Sequence, residues 1–337
     1  MVKQRIIEEI NRLASLGDDF LFVINYHGDS AYIRKLSDID PSECLYDFGG
    51  KTNFTPSATP VSTSASSSHS PTPDFIWEVD APPYADYEKS FGIVQHNIIA
   101  GNSYLCNLTC QVPVRCDLSL HRIFSQSRGK YKLLMHRLNA SFVCFSPETF
   151  LQIRNGRIYS YPMKGTIDAS LPHAMQLLME DDKERAEHAT IVDLIRNDLS
   201  RVATGVRVDR YRYVDVVHTN KGDILQTSSE ISGKLPDDYR QHLGDILAAQ
   251  LPAGSITGAP KDKTCQIIEE AETYDRGFYT GIMGIYEKGQ LDSAVMIRFI
   301  EKKKEGLVFK AGGGITFQSQ CRKEYEEVLQ KVYLPIK

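Results

Sequence analysis

The chain lacks any run of the roughly 20 apolar residues that a membrane-spanning helix needs, so no such helix is expected. It also lacks a basic excess. Its 39 Lys and Arg stand against 43 Asp and Glu, a formal net charge of −4, which argues against a nucleic-acid or anionic-membrane partner. The seven cysteines (Cys44, Cys106, Cys110, Cys116, Cys144, Cys265 and Cys321) sit singly, which suits a reducing cytoplasm and excludes a disulfide framework; a zinc site is not expected either. There is no G-x-x-x-x-G-K-[ST] phosphate loop, and AGGGITF does not open into the helix that a dinucleotide fingerprint requires. Nor is there a G-x-C-x-G elbow of the glutaminase kind.

What is present is an ordinary globular composition, 42% hydrophobic and 24% charged over 337 residues, enough for one large core or two sharing an interface. Ile6, Ile7, Ile10 and Leu13 fall at helical spacing in MVKQRIIEEINRLASLG, which reads as an amphipathic helix and not as a signal peptide. FLFVINYHGDSAYIRKL reads as a hairpin turning at His27-Gly28-Asp29. Residues 1–54 are therefore expected as a small helix-hairpin segment packing on the main domain, 55–75 as a low-complexity Ser/Thr/Pro loop, and 80–337 as the catalytic domain. PPYADYEKSFGIVQHNIIAG aligns Phe91, Val94 and Ile98 on one helical face before Gly101. Beyond it, short β-rich runs interleave with helices at about 173–203, 236–250, 260–274 and 321–333, without a βαβα rhythm; an α+β fold is expected.

Glu184 and Glu187 lie three apart near a helix start, with Asp181 or Asp182 available to cap it, and Glu324 and Glu327 repeat the spacing in CRKEYEEVLQKV. Two such pairs are what a hard divalent cation asks for, since Mg²⁺ takes oxygen ligands and completes its shell with water and substrate. Either pair alone also fits a solvated helix face, and Glu327 with Lys331 fits a plain i,i+4 ion pair. PAGSITGAPKDK, glycine-rich before a helix, fits an anion cradle or a set of tight turns.

Taken in order, GNSYLCNLT, SPETFL, YPMKGT, EHATIVDLIRNDLSRV, PAGSITGAPKDKTCQIIEEAE, RGFYTGIMGIYEKGQLDSAVMIRF and AGGGITFQSQCRKEYEEVLQKV resemble successive blocks of the chorismate-utilising enzymes. The resemblance spans residues 80–333 and implies two large packed antiparallel sheets flanked by helices. It implies that Glu187 and Glu327 bind Mg²⁺, with Glu184 and Glu324 supporting them. It implies that Gly165 and Thr166 meet the ring carboxylate of chorismate, that Tyr279, Arg298 and Gly314 hold the enolpyruvyl carboxylate, and that Lys331 lies near the metal. Glu148 matches the general acid for the departing C4 hydroxyl, a role that needs a protonated carboxyl.

Lys164 in PMKGT separates activities within the family. Alanine at this position goes with amination at C2; lysine resembles the nucleophile of the branch that makes 4-amino-4-deoxychorismate on the route to para-aminobenzoate and folate. Ammonia is expected from a separate glutamine amidotransferase subunit. Three positions depart from the family pattern: Leu105 replaces a glutamine, Gln226 a histidine and Phe299 a threonine. Leucine cannot activate water as the lysine of isochorismate synthases does. The alternatives are an anthranilate-type C2 amination and a degenerate binding or regulatory subunit. Much of the family's N-terminal tryptophan-binding region has no counterpart here, so feedback by tryptophan is not expected.

Overall fold

The computed structural model describes residues 1–55, 75–219 and 222–336. The expected 55–75 loop thus lies almost wholly outside the described residues. Those described build two nine-stranded antiparallel sheets. The first runs Met163–Asp168, Gly222–Lys234, Arg157–Ser160, Thr149–Arg154, Gln290–Val295, Ile282–Glu287, Phe20–Ile24, Ala31–Lys35, with Thr204–Thr219 also on Gly222–Lys234. The second runs Gly258–Ala259, Leu105–Cys116, Gly306–Ile315, Phe299–Lys303, Ala140–Ser146, Tyr131–Arg137, Cys44–Phe48, Lys51–Thr52, with Trp77–Val79 also on Leu105–Cys116.

The sheets pack face to face, and side-chain alternation shows how. Along FLFVI, Leu21 and Val23 enter the layer between the sheets beside Tyr46, Leu133, Phe142 and Phe299. Phe20, Phe22 and Ile24 point the other way, into a core closed by helices Gln4–Leu16, Asp182–Ser200 and Leu243–Gln250. Because both faces are covered, the strand reads as an unbroken apolar run. A third core lies outside the second sheet, under helices Tyr84–Ile99, Leu120–Gln126, Lys261–Ala271 and Cys321–Gln330.

The α+β class and the paired antiparallel sheets are those expected. The 1–54 segment is built more deeply into the fold than a segment packed on its surface: its strands belong to both sheets. The helix expected over 173–203 is two helices, Ala174–Glu180 and Asp182–Ser200, because Asp181 is extended and its carboxylate caps Glu184 N at 2.9 Å.

Candidate active site

Lys164 lies on the edge strand Met163–Asp168 of the first sheet. Pairing with the neighbouring strand slips here: Lys164 faces Thr227 and Thr166 faces Gln226, leaving Gly165 as the extra residue. Gly165 has φ +80°, a backbone sign that favours glycine, and a methyl group on it would stand 2.9 Å from Glu184 Oε2 and 3.3 Å from Leu178 Cδ1, pressing on both side-chain ends. Thr227 Oγ1 donates to the Lys164 carbonyl. The side chain of Lys164, 24% exposed, brings Nζ to 3.5 Å from Glu187 Oε2.

The facing wall belongs to the second sheet. A methyl group on Gly314 would be 3.2 Å from Lys164 Nζ and 3.0 Å from Leu105 Cδ1; on Gly313 it would be 3.6 Å from Glu324 Oε2 and Lys331 Nζ and 3.9 Å from Glu327 Oε1. Lys331 Nζ pairs with Glu327 Oε1 at 2.8 Å and donates to the Gly312 carbonyl at 2.8 Å. The glutamate pairs therefore belong to opposite sides, Glu184 and Glu187 on the helix behind the lysine strand, Glu324 and Glu327 on the helix behind Gly306–Ile315. Among the described residues, no three acidic, histidine or cysteine side chains form a ready metal cluster. In this structure the positive charge beside Glu187 and Glu327 comes from Lys164 and Lys331.

Glu148 lies just before strand Thr149–Arg154, and its carboxylate accepts a hydrogen bond from Ser255 Oγ. Burial pushes its carboxyl above the ordinary value, opposed by Ser255 and by the charges of Lys164 and Arg298. Burial likewise lowers Lys331, opposed by Glu327 and reinforced by the positive charges of Arg298 and Lys164. Arg298 has a left-handed backbone, φ +53°, a conformation sparsely used by non-glycine residues and concentrated at functional sites. Tyr279 is buried, with its ring 5.8 Å from Phe299. Thr166 is exposed at the edge.

The three departures from the family pattern fall in different places. Phe299 is core, stacked on Phe142 at 4.5 Å. Gln226 sits across from Thr166, beside the bulge. Leu105 is at the site itself, 5% exposed, its main chain gripped by Ser103 Oγ and by the Gly258–Ala259 bridge. Three contributors were not singled out from sequence. Ser255 is the hydrogen-bond donor to Glu148. His188 is fully buried, with Nε2 2.7 Å from Ser229 Oγ. Arg212, φ +50°, donates from its guanidinium to the Leu178 and Met179 carbonyls. Burial, helped by the Arg212 charge, pushes His188 down to about 4, so its ring is neutral near pH 7. The adjacency of His188 to Glu187 was the one available signal.

Residues 37–337 match the family described as chorismate binding enzyme. A Haemophilus influenzae protein named as an uncharacterized PabA-like protein is 46% identical over 333 residues, 99% of this chain and 97% of that one. Aminodeoxychorismate synthase component 1 of Salmonella typhimurium is 33% identical over 259 residues, 73% of this chain and 56% of its own length. The crystal structure of anthranilate synthase component I from Streptococcus pneumoniae superimposes with a TM-score of 0.66 at 26% identity, covering 76% of this chain and 58% of that one. On the family match and these relatives, this chain belongs to the chorismate-binding enzymes of the anthranilate and aminodeoxychorismate synthase family.

Proposed function

We propose that the chain is an aminodeoxychorismate synthase component 1, converting chorismate and ammonia to 4-amino-4-deoxychorismate and water. The observation that carries this reading is the position of the Lys164 amine, 3.5 Å from Glu187 and against Gly314 of the opposite sheet, where a nucleophile can reach a ring held between them. In its neutral form the amine attacks C2 as the C4–O bond breaks, and Glu148 passes its proton to the departing hydroxyl, which leaves as water. Ammonia then bonds to C4 while the C2–N bond to Lys164 breaks. The proton lost by the new amine is available to restore Glu148. The raised proton affinity of Glu148 supports the acid role, and Arg298 suits a carboxylate because its guanidinium offers a two-pronged contact.

Glu184, Glu187, Glu324 and Glu327 would hold Mg²⁺, an all-oxygen donor set that suits a hard cation. When bound, the ion supplies positive charge for the ring carboxylate of chorismate. Ammonia would come from a separate glutamine amidotransferase subunit, since this sequence has no glutaminase elbow.

The test is incubation of pure protein with chorismate, Mg²⁺ and an ammonium salt, followed by product identification. Without ammonia, a mass increase on the YPMKGT peptide is expected, and Lys164→Ala removes it. A C2-aminated product, or Lys164→Ala making the C4 product at the wild-type rate, overturns the reading.

A further inference from the structure

The chemistry above gives chorismate a place but leaves its second substrate, ammonia, without one. Glu148 protonates the C4 oxygen, so C4 has to lie beside its carboxyl, and ammonia has to arrive beside the same carboxyl. A cavity lies there. It is walled by Glu148 and Ser255, by Ile195 and Asp198 of helix Asp182–Ser200, and by Tyr161 and Gln250. Its free room is about 20 Å³, enough for one molecule of the size of water or ammonia. Ile195 and Tyr161 are half-buried, whereas Asp198 and Gln250 are buried.

The chemistry of the buried side decides which small molecule suits it. Its donors are already committed within the protein: Ser255 Oγ donates to Glu148, Ser160 Oγ to the Phe150 carbonyl at 3.2 Å, and Gln250 Nε2 to the Asp198 carbonyl at 2.9 Å. Lys261 divides its ammonium between Asp198 Oδ2 at 2.7 Å and the Gln250 carbonyl at 3.0 Å. Among the described residues, the hydrogen bonds leave acceptors over: the second oxygens of the Glu148 and Asp198 carboxylates and the side-chain oxygen of Gln250. Ammonia has three N–H donors against one acceptor, where water has two of each, so such a lining favours ammonia.

We propose that this cavity is the ammonia site: it holds the nucleophile behind Glu148 until the C4 hydroxyl has left, and the carboxylate, having given up its proton, takes one from the new amine. This rests on the reading of Glu148 as the acid at C4. It also gives the buried Asp198–Lys261 pair a task, since that pair ties the helix that carries Ile195 to the segment that carries Ser255 and so holds two walls of the cavity at a fixed spacing.

Filling and widening the cavity test it, with ammonium chloride and methylamine as the probes. Ile195→Phe, which puts a ring into the space for ammonia, should lower kcat/KM for ammonium at least about tenfold. The KM for chorismate and the rate of adduct formation on Lys164 without ammonia should stay within about twofold, because both precede the arrival of the nucleophile. Ile195→Ala should raise the turnover of methylamine relative to ammonium at least about tenfold, since the room it adds accepts one more methyl group. A folded Ile195→Phe with the wild-type kcat/KM for ammonium, or one whose loss appears equally in the ammonia-free adduct, overturns the proposal. If Ile195→Phe does not fold, the methylamine ratio decides alone, and a ratio unchanged from wild type overturns it. A wild-type enzyme that makes no 4-amino-4-deoxychorismate from ammonium defeats the reading of the reaction, whereas amination by the wild type that neither variant alters defeats only the ammonia site.

Discussion

Gly314→Ala probes the position of the nucleophile without touching it. Gly314 does not occupy the left-handed region, so alanine adds no backbone strain, only a methyl group. That methyl would meet Leu105 Cδ1 at 3.0 Å and Lys164 Nζ at 3.2 Å, both tighter than ordinary contact. Leu105 is 5% exposed and pinned through its main chain, whereas Nζ ends a flexible stem, so the lysine yields. Relieving that contact moves Nζ by a few tenths of an ångström; since a full 1 Å misplacement of a reacting group costs about 10²-fold, this shift should cost about three- to tenfold in rate, or about 0.7–1.4 kcal/mol of transition-state stabilisation. The fold has less to lose: accommodating one methyl beside a mobile chain end should cost about 1 kcal/mol or less and lower Tm by about 2 °C. Steady-state kinetics with chorismate and ammonium, with thermal melts beside them, separate the two effects. Gly313→Ala is the control, because its nearest neighbours would be 3.6 Å away, in normal contact. A Gly314→Ala enzyme with wild-type kcat, or one whose loss matches that of Gly313→Ala, would refute the placement of the amine.

Further outcomes are expected. Because the Glu148 carboxyl is raised above 4.5, the folded protein binds more protons than the unfolded one over the interval between the two values, and stability falls as pH rises through it. Glu148→Gln, which can still accept from Ser255, should therefore melt higher than wild type at pH 7, with the gap closing below about pH 4.5; a gap independent of pH counts against the assignment. Mg²⁺ at a hundredfold excess over its Kd should stabilise the protein by about 2.7 kcal/mol, a rise of a few degrees in Tm, and Glu187→Gln or Glu327→Gln should abolish both this and turnover. Full activity in excess chelator would show the ion to be dispensable. Glutamine should support amination only when a separate amidotransferase is added, and glutamine hydrolysis by this chain alone would contradict that division of labour.

Much of this was legible in the sequence because local rules and the fold agree. Phe91, Val94 and Ile98 are buried on one helix face as their spacing requires, and the hairpin at His27-Gly28-Asp29 forms between Phe20–Ile24 and Ala31–Lys35. The helix break at Asp181 was half legible: Asp181 was visible as a cap, but the helical composition on both sides ran the two helices together. Within the site, residues with charge in a recognisable block could be named, Lys164 and Glu148 among them. The neutral supports could not. Ser255 meets Glu148 across 107 positions and Ser229 meets His188 across 41, and no local pattern encodes a contact of that range. Leu105 was visible as an oddity, but only its place against Gly314 shows it walling the amine.

The division of the site between the two sheets has a consequence for how the protein comes to be active. Neither half holds the candidate site alone: Lys164, Glu184 and Glu187 arrive with the first sheet, Glu324, Glu327 and Lys331 with the last helix behind the second. Because these residues come from segments far apart in the sequence, the site is assembled only once both sheets have folded and docked. A ligand that touches both walls then acts as a staple across the docking plane, adding its binding free energy to the adhesion of the sheets. Substrate-dependent protection of the interior amides from hydrogen exchange should consequently spread over both sheets, far beyond the residues that the ligand touches.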